Sequence, residues 1–106
     1  MSNMLQAHHD LDRVFAANDE MALGAAKALG ARSGKDVKVV AFDGTPDGVR
    51  AVRAGTLTAT VAQQPELLGK QAVDWALRVS RGERLPRTVK VPVVLVTAAN
   101  AARFGG

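Results

Sequence analysis

Two segments, "VVAF" (39–42) and "VVLV" (93–96), are apolar at every position. A strand with one wet face alternates apolar and polar side chains. An unbroken apolar run instead suits a strand covered on both faces, as in a parallel sheet flanked by helices. Two further valine- or threonine-rich segments read as strands, "RVFAA" (13–17) and "LTATVA" (57–62). With their flanking residues the two apolar runs extend to strands over 37–42 and 91–96.

Helical signals fill the intervals. "DEMALGAAKAL" (19–29) is rich in strong helix formers and is followed by Gly30, a natural left-handed stop. Over 46–54, Thr45 suits the N-cap, Pro46 the first helical position and Gly55 the stop. Over 65–81, Leu68, Ala72, Trp75, Ala76 and Val79 recur at helical spacing, with Pro65 at the start and Gly82 beyond the end. The order is β-α-β-α-β-α-β, which predicts an α/β fold of βαβ units with right-handed crossovers and a parallel sheet. The Asp43-Gly44 pair could have been a hairpin tip, but helix-start signals follow it rather than a strand, so it reads as a strand-to-helix turn. The tail "AANAARFGG" (98–106) is expected to fray.

Ligands of open parallel sheets bind outside the carboxyl ends of the strands. The side chains expected there are Asn18 after the first strand, Phe42 and Asp43 at the second, and Gln63 and Gln64 after the third. An ionised carboxylate accepts two hydrogen bonds from neighbouring hydroxyls, and side-chain amides donate and accept. A phenyl face covers the C–H face of a ring. The set suits a neutral polyhydroxylated ligand such as a sugar. It does not suit a phosphate, for which a glycine-rich anion loop or a lysine would be expected. Each residue also has a plainer reading: Asn18 as a helix cap, Asp43 as a partner of turn amides, Phe42 as core, Gln64 as a cap or surface residue.

Other chemistries find less support. The chain of 106 residues carries 14 basic and 10 acidic residues, a net charge of +4. Its denser basic patch (Arg78, Arg81, Arg84, Arg87, Lys90, interrupted by Glu83) lacks an aromatic residue for base stacking and reads as solvated surface rather than a nucleic-acid site. There is no cysteine, hence no disulfide or thiolate metal site. His8 and His9 are adjacent and read as a surface pair, not a metal site. Asp19 and Glu20 read as first-turn charges favourable to the helix dipole. None of Ser2, Ser33 and Ser80 sits in a nucleophile elbow, no acid–base pair stands out, and no cofactor is implied, so the chain is expected not to be an enzyme. No apolar stretch approaches the roughly 18 residues of a membrane span. The first ten residues lack the pattern of a secretory signal, so the chain as it stands is expected to be cytoplasmic.

Taken together, "VFAANDEMALGAAKAL" (14–29) and "VVAFDGTPDGVRAVRAGTLTATVAQQPELLGKQAV" (39–73) resemble the C-terminal part of ribose-binding proteins. These are sugar-binding type I periplasmic binding proteins of bacterial ABC importers. The resemblance runs from about residue 4 to residue 97 and implies two α/β lobes closing on a sugar at a hinge. It matches Asn18 to an asparagine that hydrogen-bonds sugar hydroxyls, Asp43 to the aspartate that accepts from them, Phe42 to the neighbouring aromatic, and Gln63 to a glutamine at the cleft and hinge. Family members are over twice as long, with a complete N-terminal lobe, and their chain crosses between lobes near Gln63 and again near Pro92. The resemblance thus implies a truncated single α/β domain over 1–106, a partial lobe. Residues 13–63 and 93–97 would be C-terminal-lobe elements, and 64–92 would belong to the other lobe.

From the resemblance follow a monosaccharide ligand (ribose or a similar aldose), an ABC permease as partner of the intact protein, and a periplasmic location for the intact family. Sugar affinity of this chain alone is expected to be poor. The apolar face of the 65–81 helix, including Trp75, is expected to fold back or pack on a second copy in a homodimer. Two other functions share the pattern: the effector-binding part of a LacI-type transcription regulator, and an oligomeric remnant without a ligand.

Overall fold

Side-chain caps set the frame of the fold. The computed structural model describes residues 1–104. Asn18 Oδ1 accepts the Met21 N–H at 2.8 Å and opens helix α2 (Asp19–Leu29). Thr45 Oγ1 accepts the Gly48 N–H at 3.1 Å and opens α3 (Pro46–Ala54), with Pro46 in the first turn. Gly55, at φ 82°, ends α3 by turning its N–H back to the carbonyls of Ala51 and Val52. Both helices occupy the residues expected for them. A short helix α1 (Ser2–Ala7), not foreseen, precedes them and touches α2.

The strands β1 (Arg13–Phe15), β2 (Lys38–Asp43), β3 (Ala59–Ala62) and β4 (Val94–Thr97) form one sheet in the order β1-β2-β3-β4. The first three run parallel, in a register that pairs Phe15 with Val40, Phe42 with Val61 and Asp43 with Ala62. The fourth departs from expectation, since β4 runs antiparallel to β3. The physical reason lies in the chain between them. The protein divides into two compact units, Met1–Ala62 with the described residues from Val94 onward, and the connection itself, Gln63–Val93. Helix α4 (Pro65–Ser80) belongs to the second unit. The handedness rule applies to a crossover helix that packs back on its own sheet. A connection that forms a unit of its own leaves the direction of return unconstrained.

In the first unit, α2 and α3 pack on each other and on the sheet, α2 against β2 and α3 against β3 and β4. Strand alternation sends Val39, Ala41 and Val96 into this layer with Val49 and Val52 of α3, all fully buried. The opposite face carries Val40, Phe42 and Val61, half-buried, with Phe15 and Leu95 at 68% and 55% exposure. The unbroken apolar runs were expected to be covered on both sides; within this chain one side is. The tail is a second correction. Residues Ala101–Phe104 form a 3₁₀ turn against α3, with Ala101 fully buried, and Asn100 ties it down by accepting the Thr97 N–H at 2.8 Å and donating to the Leu95 carbonyl at 2.9 Å. The last two residues of the expected frayed tail lie outside the described residues.

The second unit is α4 and its following loop. No residue of α4 is buried. Trp75, Val79, Leu85 and Pro86 line one hollow of this unit, while Val73 and Leu77 are exposed. The Gln64 side chain donates to the Pro92 carbonyl at 2.6 Å, closing the ends of the unit on each other.

The register of β4 makes a direct prediction. Val96→Ala should cost about 2 kcal/mol in chemical denaturation, because its side chain leaves a dry layer. Leu95→Ala should stay within about 0.5 kcal/mol. A parallel β4 shifted by one residue would reverse that order.

Candidate functional site

The carboxyl ends of β1, β2 and β3 form one edge of the first unit. Asn18 stands there as the cap of α2, half-buried, its side-chain oxygen engaged by the Met21 N–H. Its plain reading as a cap is therefore correct. The cap uses the oxygen, and the amide nitrogen is the end of the group that can donate.

Asp43 ends β2 and is half-buried. Its φ is 129°, which no other non-glycine residue among those described approaches. Such a conformation costs about 1–3 kcal/mol and persists only where the surroundings over-determine it. Here they do. Asp43 is laddered to Ala62 on β3, and the next residue, Gly44, has φ 76°. A Cβ on Gly44 would overlap both Cα and Cβ of Ala62. The turn is thus pressed onto the end of β3, and only glycine fits after Asp43 on both counts. Phe42, half-buried, lies on the sheet face opposite α2 and α3, beside Val61. Gln63 directly follows β3 and is exposed as the first residue of the second unit. The structure therefore brings Asn18, Phe42 and Asp43 to one edge of the first unit, with Gln63 one residue past that edge in sequence. Gln64 occupies the N-cap position of α4 without a capping bond.

The residue that organises this edge was not anticipated. Asp19, read as a first-turn charge favourable to the helix dipole, does stand in the first turn of α2, and it is also fully buried. Its Oδ2 accepts the Thr45 backbone N–H at 2.7 Å and the Thr45 hydroxyl at 2.8 Å, and its Oδ1 accepts the Thr60 hydroxyl at 2.6 Å. Thr45 Oγ1 in turn accepts the Gly48 N–H that starts α3. One carboxylate thereby joins the start of α2, the β2–α3 turn and β3. Three hydrogen bonds, all to an acceptor that suits a charge, offset its burial. Two sequence signals were available. Gly48 sits in the first turn of a helix where no turn needs a glycine, and a Cβ there would overlap the Asp19 carboxylate. Thr60 puts a hydroxyl into an otherwise apolar buried strand, where it requires a partner.

Among the described residues no group of three or more His, Cys, Asp and Glu could hold a metal ion, and no helix is long and apolar enough to cross a membrane.

Comparison with known proteins agrees with this architecture. The profile of the family described as periplasmic binding protein domain matches residues 1–84. The ribose import binding protein of Escherichia coli (strain K12) is 50% identical over 96 residues, which is 91% of this chain and 32% of that protein. The ribose import binding protein of Bacillus subtilis (strain 168) is 47% identical over 97 residues, 92% of this chain and 32% of that protein. Among solved structures, an ABC transporter periplasmic solute binding protein from Actinobacillus succinogenes 130z with bound D-allose superposes with a TM-score of 0.89 at 31% identity, covering 96% of this chain and 37% of that one. The chain spans about a third of the length of these relatives.

The contact between Gly48 and Asp19 can be tested by a double-mutant cycle on denaturation free energy. Gly48→Ala should destabilise the wild-type chain by about 1–3 kcal/mol through overlap with the carboxylate. Asp19→Ala alone should cost about 3 kcal/mol. In the Asp19→Ala background, Gly48→Ala should instead stabilise by about 0.5–1 kcal/mol, the helix propensity of alanine over glycine. Equal costs in the two backgrounds would show that the carboxylate does not occupy the space beside Gly48.

Proposed function

The chain belongs to the periplasmic binding protein domain family, and we propose that it is the C-terminal portion of a monosaccharide-binding protein of a bacterial ABC importer. On this reading the edge described above is one wall of a sugar cleft. Asp43 accepts hydrogen bonds from adjacent sugar hydroxyls, Asn18 donates through its amide nitrogen, Phe42 covers a C–H face, and Gln63 contributes where the chain passes between lobes. The observation that carries the reading is the conformation of Asp43. A strained carboxylate at the carboxyl end of a central strand, locked by Gly44 against β3, is costly for a turn and useful for holding an acceptor in a fixed direction. Residues 64–92 then belong to the second lobe of the intact protein, and the chain passages near Gln63 and Pro92 are its hinge.

In the intact protein the function is capture. Two lobes close on the sugar, exclude water from its hydroxyls and present the closed form to a permease; no covalent bond is made or broken. The names of the relatives, which include ribose and D-allose binding proteins, support an aldose as the ligand class, with ribose the first candidate. Location outside the cytoplasm follows from the same role.

Thermal melts of this chain with a panel of pentoses and hexoses test the proposal. One wall alone should bind with a Kd of about 1 mM or weaker, on the order of 4 kcal/mol. At 100 mM, D-ribose or D-allose should then raise Tm by several degrees more than sucrose, which controls for the general stabilising effect of sugars. Asp43→Ala should reduce the rise to the sucrose level. Equal rises with every sugar, unchanged by Asp43→Ala, would overturn the sugar site.

The exposed apolar pair Val73 and Leu77, one turn apart on α4, favours association of two copies of this 106-residue chain through that helix. Light scattering should report a dimer, and Leu77→Lys should return it to monomer. A monomer at high concentration would exclude the association.

A further inference from the structure

We propose that Asp19 is the positioning residue of the site, the group that holds Asn18 and Asp43 in fixed relation to the end of β3. The proposal rests on reading this edge as a sugar site, and goes beyond it by assigning a role to a residue that does not touch the ligand.

Three observations support it. First, connectivity: Asp19 follows Asn18 directly, Thr45 lies two residues after Asp43, and Thr60 lies two residues before the end of β3. The bonds from Asp19 span 26 and 41 residues of sequence, so they join elements that local structure cannot hold together. Second, economy: the carboxylate is fully buried beside a core of alanine, valine and leucine. An apolar side chain would fill that space with no charge to desolvate. What the carboxylate adds is direction, since charge-assisted hydrogen bonds fix distance and angle where apolar contacts do not. Third, strain: the φ of Asp43 needs restraint from both sides. The ladder to Ala62 restrains one side. On the other, Gly44 leads directly into Thr45, whose backbone N–H and hydroxyl are both held by Asp19. The start of α3 is shaped around this bond, since Gly48 leaves the space that the carboxylate fills.

Amide hydrogen exchange and a D-ribose titration on the ¹⁵N-labelled chain test the role, using Asp19→Asn, Thr60→Val and Thr60→Ser. Thr60→Val keeps the shape and removes one donor, while Thr60→Ser keeps the donor. Asp19→Asn and Thr60→Val should speed exchange of the Thr45 and Gly48 amides by about tenfold or more relative to the Lys38 and Thr58 amides at the other end of the sheet. Thr60→Ser should restore the wild-type rates. The ribose-induced shifts of Asp43 and Asn18 should follow the same pattern, lost in Thr60→Val and regained in Thr60→Ser. If Asp19→Asn fails to fold, the Thr60 pair decides. Exchange that rises uniformly along the sheet, or does not change, makes Asp19 a structural residue only and overturns the proposal. Loosening confined to Thr45 and Gly48, in a chain whose wild type shows no ribose-induced shift, leaves the positioning role standing and sinks the sugar reading instead.

Discussion

One buried carboxylate holds the polar edge of this protein together. The Asp19 side chain is fully buried, and its two oxygens receive a backbone N–H and two hydroxyls from elements far apart in sequence. Its acceptors are used in different directions, Oδ2 toward the β2–α3 turn and Oδ1 toward β3. Carboxylates are seldom buried without such a complement of donors, because desolvation alone costs several kcal/mol. The bond network therefore carries two loads. It satisfies the charge, and it fixes the helix starts relative to the strand ends, where a purely apolar layer would tolerate sliding.

The second constraint is steric, and it acts on the same turn. Gly44 is pressed on the end of β3 and Gly48 on Asp19, so two glycines in one short segment are required by close approach, and Gly44 by its positive φ as well. Between them Thr45 uses its hydroxyl twice, donating to Asp19 and accepting from Gly48. The strained backbone of Asp43 is thus enclosed by a ladder pair, a crowded glycine and a doubly bonded threonine. On the proposed reading, a backbone held this way fixes where the Asp43 side chain leaves the strand before a sugar arrives, which lowers the ordering cost of binding.

What could be read from the sequence divides by range. The boundaries of α2 and α3 were legible residue by residue, because Asn18, Thr45, Pro46, Gly30 and Gly55 act on their immediate neighbours. The three parallel strands were legible from composition and order, though β1 is shorter than its apolar run. The direction of β4 was not, because it depends on a connection that folds as a separate unit. Nor was the burial of Asp19, whose partners lie 26 and 41 residues away. An aspartate in a first helical turn is ordinarily solvated, and only Gly48 and Thr60 hinted otherwise. The tail was misjudged for a related reason. Small residues such as Ala101 suggest fraying until a partner surface is known, and here that surface is α3.

The one-sided layering connects fold to function. On the helix-covered face the sheet is packed by the fully buried Val39, Ala41 and Val96. On the other face, Phe15, Val40, Phe42, Val61 and Leu95 keep an apolar row in which Phe42 is adjacent to Asp43. A sugar presents the same division, hydroxyls around its rim and C–H groups on its faces. On the proposed reading, the edge of this sheet would offer an acceptor and an aromatic surface from two successive residues of one strand. Strand alternation itself sends them to opposite sides of the backbone, and the positive φ at Asp43 alters the direction in which the second of them leaves the strand. On the proposed reading, the distortion that makes Asp43 an outlier would be the local means by which a single strand end offers both kinds of contact.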